Sequence, residues 1–285
     1  MIRPAVKHLD IVKVKNGSHH EVQDLLAVEE PLEIRLGFGP VSDREQRSLA
    51  ITMRTPGHDF ELVTGFLFTE GIIKSAADFT RIAYCRDKDG KQSPNIVRVE
   101  LQPTIELDWD RFSRHFYTNS SCGICGKASI ESLEGMCESA IESNFSMSAE
   151  VLHSLDQKMR KAQGIFDHTG ALHAAALFNE NGELLHLRED IGRHNALDKV
   201  IGTALTEGSI PLTQHVIMLS GRSCFELIQK ALMSRIPIVA AVGAPSSLAA
   251  ETAQNFKITL LGFAKNNGFN IYSAPEKIRY ETAHS

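Results

Sequence analysis

Aromatic residues and cysteine are scarce in this chain: Phe, Trp and Tyr make up 7% of 285 residues, and there are five cysteines. Cys85, Cys122, Cys125, Cys137 and Cys224 are too few and too scattered for a disulfide framework, so a reducing compartment, the cytoplasm, is expected. No apolar run reaches the length of a membrane span, because Gly, Pro or charge breaks the longest ones. The opening residues, Met-Ile-Arg-Pro-Ala-Val-Lys-His, lack the apolar core of an export signal. Internal repeats and low-complexity tracts are also missing. The net charge of -5 excludes a general nucleic-acid binder, although a local basic patch can still recognise phosphate.

What remains is a globular composition, 42% hydrophobic and 23% charged, long enough for one large domain or two moderate ones. Short alternating stretches around Ile11–Val14, Leu32–Leu36 and Ser48–Met53 predict strands separated by Gly, Pro and Asp turns. Thr55-Pro56-Gly57-His58-Asp59 opens a helix carrying Leu62, Val63, Phe66 and Leu67, and Gly71 stops it. A strand over Ile96–Leu101 follows. Residues 1–117 therefore read as a smaller α+β domain and 118–147 as an exposed connecting segment, in which Lys127–Glu134 begins a short helix.

Residues 148–285 alternate between helix and strand. Helices are expected over Ala149–Ala162, Ala196–Thr206, Cys224–Ser234 and Ser247–Asn255. Strands are expected over Leu172–Phe178, Glu183–Glu189, His215–Ser220, Ile238–Val242, Thr259–Phe263 and Asn270–Tyr272. Such alternation implies a mixed sheet between helix layers, with some parallel neighbours.

The strongest chemical feature is Cys122-Gly123-Ile124-Cys125. Two thiols at this spacing can share a metal, form a disulfide, or act as attacker and resolver in sulfur chemistry. The flanking glycines leave the sulfurs accessible, and Lys127 with a following helix N-terminus favours the thiolate. A structural zinc site needs four ligands, and no second Cys-x-x-Cys or His-x-His pair is present; Cys85 or Cys137 with His115 completes one only by coincidence of folding. No metal is therefore expected. Thioredoxin-like chemistry wants the motif at the start of a long apolar helix, whereas this segment is polar. A surface loop with two spectator cysteines is the plain alternative.

Two strand-to-helix junctions, Gly221-Arg222-Ser223 and Gly243-Ala244-Pro245-Ser246-Ser247, place glycine and hydroxyl residues where free backbone N–H groups bind anions. Arg222 offers a bidentate fork to phosphate. Capping by Ser223 and Ser247 is the ordinary alternative. In Arg188-Glu189-Asp190-Ile191-Gly192-Arg193-His194-Asn195, Asp190 or Asn195 suits a helix cap, and Arg193 and His194 are the candidates to meet a ligand. Local Asp190–Arg193 or Asp198–Arg193 pairs are the structural reading. Cys224 reads as a small residue in the first turn of a buried helix.

Together these stretches, with Thr169-Gly170-Ala171-Leu172-His173-Ala174-Ala175 and Gly262-Phe263-Ala264-Lys265, resemble the formate dehydrogenase accessory sulfurtransferases, the FdhD-type proteins, in order along nearly the whole chain. The resemblance implies a sulfurtransferase that takes persulfide sulfur from a cysteine desulfurase. It passes that sulfur to the molybdenum of bis(molybdopterin guanine dinucleotide), bound transiently, before the cofactor enters formate dehydrogenase. It assigns the persulfide to Cys122 with Cys125 as its partner. Cofactor binding goes to Phe263, Ala264, Lys265, Asn266, Asn267 and Gly268, alongside Arg222, Ser223, Arg193 and His194. Relatives often carry arginines where this chain has Lys265 and Gly268, and lysine keeps the charge without the fork. The implied partners are the desulfurase, formate dehydrogenase and, optionally, a second copy in a homodimer, with no nucleic acid and no membrane. A second reading of the same residues is a non-catalytic cofactor chaperone with redox-sensing cysteines. The implied fold is cytidine-deaminase-like for 148–285. The deaminase signature is absent, since His173-Ala174-Ala175 stands where His-x-Glu is required and no Pro-Cys-x-x-Cys follows.

Overall fold

Alternating apolar and polar residues build the first third of the chain into strands. In the computed structural model, which describes residues 4–107, 109, 133 and 139–280, β1 (Val6–Lys15) and β2 (Ser18–Ala27) form a separate antiparallel hairpin. Next come β3 (Glu30–Phe38), β4 (Glu45–Arg54), β5 (Phe79–Arg86) and β6 (Gln92–Leu101), a four-stranded sheet in the order β4-β3-β6-β5. Leu32, Ile34 and Leu36 of β3 and Val97, Val99 and Leu101 of β6 alternate inward and are buried. They share one hydrophobic cluster with Leu62, Val63 and Leu67 of α1 (Asp59–Thr69). Arg54 fixes the start of α1 through a buried two-point pair with Asp59, at 3.0 and 2.9 Å, and the Tyr84 hydroxyl donates to the same carboxylate at 3.0 Å.

Residues 139–147, the end of the expected connecting segment, lie against the body: Ile141, Phe145 and Met147 are buried, as is Leu133. The strand β7 (Met147–Ser148) leads into α2 (Ala149–Ala162) and α3 (Gly164–Thr169). There follow β8 (His173–Phe178), β9 (Leu184–Asp190), α4 (Arg193–Thr206), β10 (Val216–Leu219), α5 (Phe225–Met233) and β11 (Ile238–Ala241). The last elements are α6 (Ser247–Asn255), β12 (Thr259–Lys265), β13 (Gly268–Ser273) and β14 (Ile278–Arg279), which pairs with β7. The helices over Ala149–Ala162 and Ser247–Asn255 have the bounds expected from the sequence.

Strands β8 to β13 form a six-stranded mixed sheet in the order β13-β12-β11-β10-β8-β9. The neighbours β10–β11 and β11–β12 are parallel, and β8–β9, β8–β10 and β12–β13 antiparallel. Successive side chains take opposite faces. Ala175, Leu177, Ile217, Leu219, Val239 and Ala241 join the main cluster, with Leu197, Val200 and Ile201 of α4, and Leu227 and Ile228 of α5. Ala174, Ala176, Val216, Met218, Ile238 and Ala240 join a second cluster with Leu152, Leu155 and Met159 of α2. Burial on both faces explains why Val216–Leu219 and Ile238–Ala241 read as unbroken apolar runs.

The two sheets meet where α1 crosses α4. A Cβ on Gly65 would fall on the Asp198 carbonyl, and a Cβ on Gly202 would fall on the Glu61 carbonyl, so the two backbones touch. Gly65→Ala should therefore force the helices apart and lower stability by about 3 kcal/mol. Urea unfolding of the full chain checks this, with an unchanged midpoint as the contrary result.

Candidate functional site

The parallel strands β10, β11 and β12 all end at one edge of the six-stranded sheet, and their exits are laced together. The Gly243 N–H donates to the Gly221 carbonyl at 3.0 Å, and the Phe263 N–H donates to the Gly243 carbonyl at 3.1 Å. The Ser246 N–H donates to the Ser223 carbonyl at 3.0 Å. Antiparallel pairing brings His173 at the start of β8 and Asp190 at the end of β9 to the same edge, where they face each other in register. The Ala174 N–H donates to Ser220 Oγ at 2.8 Å. The helices α4, α5 and α6 start here as well, so three sets of free N–H groups and three positive dipole ends gather at one place.

This edge collects the expected cofactor residues. Arg222 is exposed, with its main chain and Cγ against Gly243 at 2.9 Å from any added Cβ, so glycine is needed there. Ser223 is buried, and its Oγ has no hydrogen-bond partner among the described residues. The caps differ from the sequence reading. Ser246, not Ser247, caps α6 by accepting from the Ala249 N–H at 3.2 Å, and Cys224, not Ser223, holds the cap position of α5.

Phe263 stands in the left-handed region, with φ of 54°, and its side chain is 44% exposed. Backbone strain on an aromatic residue costs of order 1–3 kcal/mol and gathers at binding sites. Ala264 packs into the second hydrophobic cluster. Asn266 and Asn267, both with positive φ, form the two-residue turn that pairs Lys265 with Gly268. Their identities are explained by the turn alone. Lys265 lines the rim of a cleft of about 400 Å³ together with Asp156, Arg160, Gln163, His173, Ser220 and Val242.

Arg193 and His194 open α4, whose cap residue is Gly192 with no side-chain bond. Arg193 makes neither of the expected local pairs. Asp190 instead binds the buried Lys199 at 2.7 Å, receives the Gly192 N–H at 2.8 Å and receives Asn195 Nδ2 at 3.1 Å. Asp198 binds the buried Lys230 at 3.0 Å and accepts from Thr69 at 2.9 Å. The tertiary fold thus takes both carboxylates away from Arg193, whose Nε is buried without a partner among the described residues. Burial, with the nearby Arg193 and Lys230 charges, pushes the His194 pKa down to about 4, and burial and Arg193 also lower that of His173. Both imidazoles are neutral at pH 7 beside a guanidinium that makes no close ion pair among the described residues, although it helps to lower the pKa of Glu226.

Cys224 is the residue whose surroundings the sequence does not reveal. Its Sγ lies 3.2 Å from His194 Nε2 and 3.9 Å from the Arg193 guanidinium. Burial, then Glu226, pushes its thiol pKa up, so it stays protonated at neutral pH. Cys122 and Cys125 lie outside the described residues, as do Cys137, His115 and the expected helix over Lys127–Glu134 apart from the buried Leu133.

The model of the FdhD/NarQ family matches residues 27–279. The chain belongs to the FdhD/NarQ family. The sulfur carrier protein FdhD of Streptomyces avermitilis is 44% identical over 277 residues, 96% of this chain and 95% of that one. Its counterpart in Mycolicibacterium paratuberculosis is 46% identical over 261 residues, 90% and 92% of the two chains. The archaeal one from Sulfolobus acidocaldarius is 40% identical over 273 residues, 96% and 98%. A crystal structure described as a formate dehydrogenase accessory protein from Desulfotalea psychrophila superposes with a TM-score of 0.74 at 24% identity. It covers 97% of this chain and 100% of that one, and shares the mixed α/β fold.

The Asp190–Lys199 pair is what sets the first turn of α4 in the FdhD/NarQ fold seen here. Asp190→Ala should strand a buried ammonium and cost about 3–5 kcal/mol, while Asp190→Ala with Lys199→Met should recover most of that loss. Chemical denaturation of both variants checks this; equal stability of the two would contradict it.

Proposed function

We propose that this FdhD/NarQ protein is a cytoplasmic sulfur carrier that serves formate dehydrogenase. Cys122 takes sulfur from a cysteine desulfurase. On delivery the Cys125 thiolate attacks Cys122 Sγ, the persulfide S–S bond breaks, and a Cys122–Cys125 disulfide closes. The outer sulfur leaves at the sulfide level for the molybdenum of bis(molybdopterin guanine dinucleotide). The observation that carries this reading is the near full-length match to relatives that are sulfur carrier proteins. Persulfide sulfur moves as in disulfide exchange: the Cys122 thiolate attacks the donor's terminal sulfur, the donor S–S bond breaks, and the donor cysteine leaves as thiolate.

The cofactor is cargo, large and polyanionic, and the edge of the six-stranded sheet suits it. Arg193, Arg222 and Lys265 supply cations, and three helix starts supply N–H groups. The unpartnered Arg193 Nε and Ser223 Oγ are donors held ready in a partly dry setting. The neutral His173 adds hydrogen-bonding capacity without further charge. In this reading the six-stranded frame is a cytidine-deaminase-like fold used for binding, and fold alone would mislead about its chemistry.

Cys122→Ala should abolish activation of formate dehydrogenase in an extract lacking the native protein, with the circular dichroism of the variant unchanged. Activation at the parent level removes Cys122 from the mechanism. The edge is tested separately with GDP, a stand-in for one end of the cofactor, on the full chain, because α1 shares its core with α4. Calorimetry should show GDP binding that weakens with salt and drops about tenfold or more in Arg222→Ala. If GDP binds no better than inorganic phosphate, or Arg222→Ala leaves its binding unchanged, the cofactor sits elsewhere.

A further inference from the structure

Three metal-ligating side chains from two helix starts converge where α4 meets α5. His194 lies in the first turn of α4, Cys224 caps α5, and Glu226 lies in the first turn of α5. His194 Nε2 is 3.2 Å from Cys224 Sγ and 3.9 Å from a Glu226 carboxylate oxygen, and the three donor atoms all lie within 4.8 Å of one another. Tetrahedral ligands at zinc bond lengths sit about 3.3–3.6 Å apart, so a small closing movement of Glu226 suffices.

We propose that His194, Cys224 and Glu226 bind a zinc ion through Nε2, a thiolate and a carboxylate oxygen, the Cys224 thiol releasing its proton to solvent as the ion binds, with water on the fourth position. The mixed donor set selects the ion. Thiolate excludes magnesium and calcium, and zinc accepts nitrogen, sulfur and oxygen together. Thiolate and carboxylate cancel the two charges of the ion, so the Arg193 guanidinium, 3.9 Å from the sulfur, faces a neutral centre. The two helix starts are fixed before the ion arrives: α5 is anchored by the buried Leu227 and Ile228, and α4 by the Asp190–Lys199 pair. The ion has a way in, because the Glu226 side chain is 59% exposed and that of His194 35%. This goes beyond the sulfur-carrier reading. His194 holds the ion, leaving Arg193, Arg222 and Lys265 to the cofactor, and Cys122 and Cys125 take no part.

The test uses the full chain carrying Cys122→Ala and Cys125→Ala, so that the paired thiols cannot compete, stripped of metal and checked by circular dichroism. Titration with Co²⁺ should raise a thiolate-to-cobalt charge-transfer absorption that saturates at one ion per chain and is displaced by Zn²⁺. Adding Cys224→Ser should abolish the band. Cys224→Ser and His194→Ala should each weaken Zn²⁺ binding, measured against a chromogenic chelator, by about 100-fold or more, beyond the effect of losing an outer-shell group. Cys85→Ser should leave both readouts unchanged. Absence of the band in the folded parent, or its survival in Cys224→Ser, overturns the site; so does its loss in Cys85→Ser. None of these readouts involves sulfur transfer, so the site stands or falls apart from the carrier function.

Discussion

The contact on which the rest depends is the close crossing of α1 and α4 at Gly65 and Gly202. Two helices from distant parts of the chain touch backbone to backbone, and around that point the protein buries charge. Lys199 reaches both Asp190, at 2.7 Å, and the Thr55 carbonyl, at 3.0 Å. Lys230 reaches Asp198 at 3.0 Å and Thr69 at 2.9 Å. Burial opposes ionisation of Glu61, but His58 and Arg188 outweigh it and bring its pKa to about 2. Pairs of this kind add little net stability over apolar packing, yet breaking one leaves an unpaired buried charge. They therefore penalise any other seating of the four-stranded sheet on the six-stranded one.

That seating reaches the candidate edge of the six-stranded sheet directly. Asn195, in the first turn of α4, donates to the Met53 carbonyl at 2.7 Å and accepts from the Thr52 hydroxyl at 3.2 Å. The end of β4 thus holds the turn that carries Arg193 and His194. Because Asp190 and Asp198 are committed to lysines, Arg193 makes no close ion pair among the described residues and stands beside neutral histidines, with Glu226 as a carboxylate within its field. A positive, partly dry edge with three helix starts is the result, and it comes from packing decisions made some distance away.

Much of the frame was legible in the sequence, because the signals were local. Unbroken apolar runs marked the doubly buried β10 and β11, and helical periodicity set the bounds of α2 and α6, although the cap of α6 is Ser246 and not the expected Ser247. The convergence of the Arg222, Gly243 and Phe263 segments followed from each one ending a strand. The strands β2 and β5 were missed: Ser18–Ala27 is largely exposed, and Phe79–Arg86 mixes charge with partly buried residues, so neither shows a clean alternation. Partner choice was the other limit. Asp190 had Arg193 three residues away but pairs with Lys199, because α4 directs Lys199 back towards Thr55. Cys224 and His194 are 30 residues apart and meet through two helix starts, a proximity that no local pattern announces. The Cys122–Cys125 motif was plain in the sequence but lies outside the described residues, so its role rests on chemistry and kinship.

The central claim, that this chain carries sulfur on Cys122, is tested most directly by intact-protein and peptide mass spectrometry after incubation with a cysteine desulfurase and cysteine. A sulfur carrier gains one sulfur atom on the peptide containing Cys122, loses it on treatment with a reductant, and gains none when Cys122 is alanine. A protein that gains no sulfur, or gains it equally without Cys122, is not the carrier described here.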